Sequence, residues 1–233
     1  MRNIWIILIC TFFISPAFTQ SEYAVINDPD GYLNVRKEPG TKSPIVGKIL
    51  DEEIFWVSDE ATPNNWYYVN FMQPITDDMD EDRIYHILDG RALREGYVHG
   101  SRVRRLPTPE SDFITNMDLS TDHFMAKDSL LVFMNFGRYQ PKDSVAVKAN
   151  WGTDFTKPKT KISQAYLKVH EMRHHLPSSG FFEPDFSSTE LIYDPQSKDF
   201  IITMVNSDGA GYYFCVWQVR EDGEVIRYAF RPF

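Results

Sequence analysis

The sequence predicts a mainly β protein, and three observations carry that reading. Residues 22–106 fall into short runs of alternating apolar and polar residues, broken at close intervals by Pro, Gly, Asn and Asp. That is the pattern of a small barrel or sandwich. Residues 191–230 hold four further runs, each divided from the next by turn chemistry, as in an antiparallel meander. Between the two, Pro107-Thr-Pro109 breaks the pattern and reads as a linker over 107–110.

The first residues stand apart from the fold. Arg2 gives a short positive start, Ile4 to Ile14 form an apolar stretch too short to span a bilayer as a helix, and Ala17 and Thr19 are small. A cleaved secretory signal is expected over 1–19, with Gln20 the first mature residue. Cys10 follows Ile9 rather than a small residue, which argues against a lipid anchor there. No later stretch is long and apolar enough to span a membrane, so a periplasmic or secreted location is expected.

Cleavage leaves about 214 residues, enough for two small domains. The net charge of −9, with no long basic stripe, argues against a nucleic-acid partner. Cys215 alone remains after cleavage, so no internal disulfide can form and apolar cores must hold the chain together. Its neighbours Phe214 and Val216 place it in a strand pattern, whereas a cysteine nucleophile should open a helix beside a histidine.

Within 20–106, Tyr23 to Ile26 open the series and Asn27 to Gly31 turn the chain. Leu33 and Val35 then alternate with Tyr32, Asn34 and Arg36 in a strand that Pro39 and Gly40 end. Ile45 to Leu50, Ile54 to Ser58 and Trp66 to Phe71 follow, divided by Asp51-Glu-Glu53 and Ala61-Thr-Pro-Asn-Asn65. Gly96-Tyr-Val-His-Gly-Ser101 closes the set. In this order the pieces resemble the bacterial SH3-like domain, a small barrel of secreted and cell-wall proteins. The resemblance implies an SH3-like barrel with a binding role and names no reaction. It departs from that family between Phe71 and Gly96, where an insertion at about 72–95 replaces a tight hairpin.

The second half, 111–233, is expected to be a β-rich domain. Ser129 to Phe136 is an apolar run, and Leu191–Tyr193, Phe200–Val205, Tyr212–Val219 and Glu224–Phe230 form the meander. Trp151-Gly-Thr-Asp154, Phe182-Glu-Pro184 and Asn206-Ser-Asp-Gly-Ala-Gly211 resemble stretches of a family of secreted proteins from Bacteroidetes-type bacteria. That resemblance implies a domain and a source, and no activity.

Two strings imitate metal sites. His170-Glu-Met-Arg-His174 fits the HExxH pattern, in which a helix sets both histidines on one face for zinc. Tyr166 to His170 alternates as a strand, however, and Pro177 follows closely, so a hairpin is expected. Asp78, Asp80, Asp82 and Asp89 imitate a calcium loop, yet Arg83 stands where the loop needs glycine and Asp89 where it needs glutamate. Asp208-Gly-Ala-Gly211 reads as a tight turn rather than a phosphate cradle, because no helix pattern follows it. No metal, cofactor or catalytic residue is therefore expected.

Alternation puts Leu33, Val35, Tyr67, Val69, Phe71 and Val98 inside the barrel and Tyr32, Asn34, Trp66, Tyr68, Tyr97 and His99 outside. Aromatic rings with polar tips suit a peptide, a peptidoglycan stem or a protein partner, so these six are the candidate binding residues. The same rings could instead meet the second domain and leave the barrel a spacer. From the enzyme class, the alternative is an envelope zinc hydrolase using His170 and His174.

Overall fold

The computed structural model describes residues 21–76, 86–116, 122–140, 151–152, 157–207 and 211–231. The expected signal (1–19), the acidic stretch Asp77 to Asp82 with its calcium-like spacing, and the turn residues 208–210 lie outside these. So do Thr153 and Asp154. The described residues hold no α-helix, and none of their helices is long and apolar enough to cross a membrane.

The protein is mainly β. Its first sheet contains β1 (Tyr23–Ile26), β2 (Tyr32–Arg36), β3 (Ile45–Leu50), β4 (Phe55–Ala61), β5 (Trp66–Pro74), β6 (Ile87–Leu88), β7 (Arg91–His99) and β8 (Val103–Arg105). The order is β3-β2-β7-β5-β4-β1-β8, with β6 beside β7, and the sheet curls into a half-barrel. Ala24, Leu33, Val35, Ile49, Phe55, Val69, Phe71 and Val98 fill its inner face, with Tyr67 packed against them. The inward set expected from alternation is therefore the set observed.

Two further sheets follow. One has the order β13-β12-β11-β10-β9, built from β9 (Ile114–Asn116), β10 (Asp122–Lys127), β11 (Leu130–Arg138), β12 (Thr160–Val169) and β13 (Met172–His175). The other is the expected meander, β14 (Glu190–Asp194), β15 (Asp199–Asn206), β16 (Tyr213–Val219) and β17 (Val225–Phe230), paired in sequence order.

The stretch expected as an insertion at about 72–95 continues the ladder at both of its described ends. β5 and β7 stay paired from Trp66↔His99 through to Pro74↔Arg91. Asp89 (φ 51°) and Gly90 (φ 72°) then make the left-handed two-residue turn that joins β6 to β7.

The proline break does not divide two cores. Tyr23, Val25, Ile54, Trp56, Met72, Leu88 and Leu106 belong to one apolar cluster with Leu191, Ile202, Phe214, Trp217, Tyr228 and Phe230 of the meander. β1, β4 and β5 thus bury both faces, one in the barrel and one against the second half. Polar ties cross the same contact: Arg104 grips Asp194 through two bonds of 3.0 and 2.9 Å, and Arg227 grips Asp89 through two of 2.6 and 2.7 Å. Each large apolar side chain buried there contributes about 1.5–3 kcal/mol, so the halves stabilise one another.

Candidate functional site

The ladder that pairs β5 with β7 sets Trp66 directly opposite His99, with ring centroids 5.5 Å apart and nearly perpendicular. β7 ends there because Gly100–Arg102 forms a 3-10 turn, capped by His99, whose Nδ1 accepts from the Ser101 N–H at 3.4 Å. Facing it is the turn after β1. Asp28 Oδ1 accepts from the Asp30 N–H (3.1 Å), and Gly31 takes φ 73° to bring the chain round into β2. Arg102 closes the two turns on one another by pairing with Asp28. β2 then carries Tyr32, Asn34 and Arg36 along the remaining side.

These pieces enclose a cavity of about 350 Å³. Trp66, His99 and Tyr32 give it aromatic walls, Asp30 and Arg36 bring one charge of each sign, and the Asp28–Arg102 pair lines it where the two turns meet. Asp28 is set firmly, its side chain 4% exposed, while Arg102 is 44% exposed and reaches solvent. Arg36 is positioned by donating to the Ser43 carbonyl at 2.6 Å, and Lys48 lies 4.4 Å from the centre of the Tyr32 ring. Asn34 Oδ1 is buried with no hydrogen-bond partner among the described residues. An unmet buried acceptor costs about 1–3 kcal/mol.

Four of the six candidates, Tyr32, Asn34, Trp66 and His99, thus come together at one cavity. Trp66 is almost buried there, 7% exposed, so it offers an edge rather than an open face. The other two diverge. Tyr68 packs on Trp56 (6.4 Å) and on the core shared with the second half, and its hydroxyl bonds Glu95. Tyr97 stacks edge-on against Tyr68 at 5.6 Å. Burial and the Glu95 carboxylate push the Tyr68 hydroxyl well above its ordinary pKa, so it stays protonated. Asp28, Asp30, Arg36 and Arg102 were missed in sequence because they sit in stretches legible only as turns or strand ends. A second barrel cavity, about 450 Å³ beside the edge strand β3, is walled mainly by Ile45, Val46, Leu50 and Pro74 and brings few polar groups together.

The other motifs resolve as structure. His170 takes φ 54° in the tight turn between β12 and β13, and His174 lies in β13 opposite Leu167. This is the hairpin expected, and it lacks the helical face on which an HExxH pair binds zinc. Glu171 is 96% exposed in its side chain and rests near Lys168 at 3.5 Å. Cys215 is buried in β16, and burial pushes its thiol well above the usual range. Among the described residues no three His, Cys, Asp or Glu side chains converge as metal ligands.

Compared with known proteins, the chain matches no family model, no curated protein and no solved structure.

Proposed function

We propose that this is an exported, non-catalytic envelope protein whose SH3-like barrel binds a peptide, either a peptidoglycan stem or a segment of a protein partner. The observation that carries the reading is the cavity between the 27–31 turn and the Gly100–Arg102 turn. It brings aromatic walls and side chains of both charges around a space of about 350 Å³. A short peptide carries the matching groups at its two ends, an ammonium for Asp30 and a carboxylate for Arg36, with an apolar body for Tyr32 and Trp66, while Asp28 and Arg102 are paired with one another. The expected signal at 1–19 supports export.

The test is retention of the full chain on purified cell wall and on an immobilised peptide library. Tyr32→Ala and Asp30→Asn both change open residues, so the fold should persist while retention falls about tenfold, or about 1.4 kcal/mol. Normal retention of a folded double variant would sink the reading. A second reading, the barrel as a spacer for its neighbour, is favoured by the packing of Trp56 and Tyr68 against the second half. It predicts no retention by the unmodified chain on either material.

A further inference from the structure

Among the described residues five large apolar side chains are exposed, and four of them surround the edge strand β3. Ile45 and Leu50 lie on β3 itself, 51% and 50% exposed, and Tyr32 stands opposite Leu50 on β2. Ile75 follows Pro74, which lines the groove of about 450 Å³ beside the strand. A single exposed apolar residue is ordinary, but a group of them marks a contact surface.

The strand has one edge to offer. Among the described strands β3 pairs with β2 alone. Its inner face is closed, because Ile49 fills the barrel and Gly47 leaves room for Phe71 and Gln73 of β5. Backbone groups alternate between the two sides of an antiparallel strand. The Leu50 N–H turns away from β2 to donate to Glu53 Oε2 at 2.9 Å, while the Asp51 N–H donates to the Gly31 carbonyl on the β2 side at 3.0 Å. The N–H and C=O of Lys48, two residues before Leu50, therefore point to the open edge. Lysine side chains commonly guard such edges. That of Lys48 is drawn back across the sheet, its ammonium 4.4 Å from the centre of the Tyr32 ring.

The charges at the two ends of β3 differ in sign. The loop ahead of it holds Lys37 and Lys42 against the single acid Glu38, and the turn behind it holds Asp51, Glu52 and Glu53. A second copy running antiparallel brings each end against its opposite, as a twofold interface requires. We propose that β3 pairs antiparallel with β3 of a second copy of this chain, about a twofold axis through Lys48. The two Lys48 residues exchange backbone bonds at the centre. Leu50 of each copy then meets the bulge at Ile45 and Val46 of the other, and Lys42 meets the Asp51–Glu53 turn.

The test is sedimentation equilibrium of the full chain from Gln20 onward, between about 1 μM and about 1 mM. The expected result is a reversible monomer–dimer equilibrium that weakens as salt rises. Leu50→Lys raises the dimer dissociation constant at least about tenfold and leaves the thermal unfolding midpoint unchanged. Lys42→Glu and Asp51→Lys each weaken the dimer, and the two together restore it, because each residue meets the other across the axis. The charge swap decides even where Leu50→Lys disturbs the fold. A chain monomeric throughout the range, whatever else binds the groove, would overturn the proposal. So would a dimer indifferent to Leu50→Lys, or a charge-swapped chain that dimerises no better than its single variants.

Discussion

Arg104 and Asp194 join the two halves, and their unequal exposure makes the consequence of breaking them asymmetric. The Arg104 side chain is 25% exposed and that of Asp194 only 2%. Arg104→Met leaves a carboxylate buried without its cation, keeping only the Ser197 hydroxyl (2.9 Å) and the Gln196 N–H (3.3 Å) as donors. Losing one partner of a buried pair costs about 3–5 kcal/mol, and the retained donors put this case near the lower end. Asp194→Asn leaves Arg104 free to hydrate and should cost about 1 kcal/mol. The decisive case is the double variant. Adding Asp194→Asn to Arg104→Met removes the stranded charge, so the double variant should be more stable than Arg104→Met alone.

The pH dependence has a definite sign. Burial alone would raise the Asp194 carboxyl, but Arg104, Ser197 and the Gln196 N–H outweigh it and hold it below the ordinary value. Its contribution is therefore present above the unfolded pKa of about 4 and lost as the pH falls through the lower folded value. In Arg104→Met the lowering contributed by Arg104 is lost and the folded pKa rises, so the deficit is full at neutral pH and narrows on acidification. Urea unfolding followed by tryptophan fluorescence, compared at equal m-values, measures all of this. A double variant less stable than Arg104→Met, or a deficit independent of pH, would refute the reasoning.

Three other outcomes are expected. Residues 21–106 expressed alone would expose Tyr23, Val25, Ile54, Trp56, Met72 and Leu88, now in the shared core; the fragment should aggregate or give a collapsed amide spectrum, and sharp dispersed resonances would contradict the shared-core account. Trp66→Ala should cost about 3–5 kcal/mol because the ring is buried, whereas Tyr32→Ala, at 37% exposed, should leave the unfolding midpoint almost unchanged; equal losses in thermal unfolding would place both rings in the core. Glu171→Gln and His170→Ala should change stability by less than about 0.5 kcal/mol, and elemental analysis should find no stoichiometric zinc; one zinc per chain, abolished by His170→Ala, would revive the hydrolase.

The meander and the β12–β13 hairpin were legible because local chemistry settles them. Asp194 anchors the turn to Lys198, and Gly223 takes φ 91° between β16 and β17. The run-on of β5 and β7 was not legible because both faces there are buried: Phe71 sits in the barrel and Met72 in the shared core. Once neighbouring positions are both apolar, alternation no longer marks a strand. One signal was present and passed over. Asp89-Gly90 is a strong two-residue hairpin pair, yet the acidic residues before it drew Asp89 into a calcium-like spacing.

The candidate site was half legible for a related reason. Alternation says which side chains leave the barrel interior and says nothing about what meets them outside. The meander covers the outer face at β1, β4 and the middle of β5, which takes Trp56, Met72 and Tyr68 out of contention. What stays open is β2 and the Trp66–His99 end of the β5–β7 ladder. There the missing wall comes from two turns brought together by Asp28 and Arg102, 74 residues apart in the chain. No local pattern encodes that meeting, because it depends on β1 and β8 pairing through Ile26↔Val103 to bring both turns to one end of the sheet. The cavity is thus a product of the curl of the first sheet and of the β1–β8 pairing, and its lining residues all lie in the first half. A variant that loosens the docking at Arg104, on the same β1–β8 ladder, should therefore also weaken ligand retention at Tyr32 without touching it. Retention unaffected by Arg104→Met, measured well below its unfolding temperature, would show that the barrel holds its site alone.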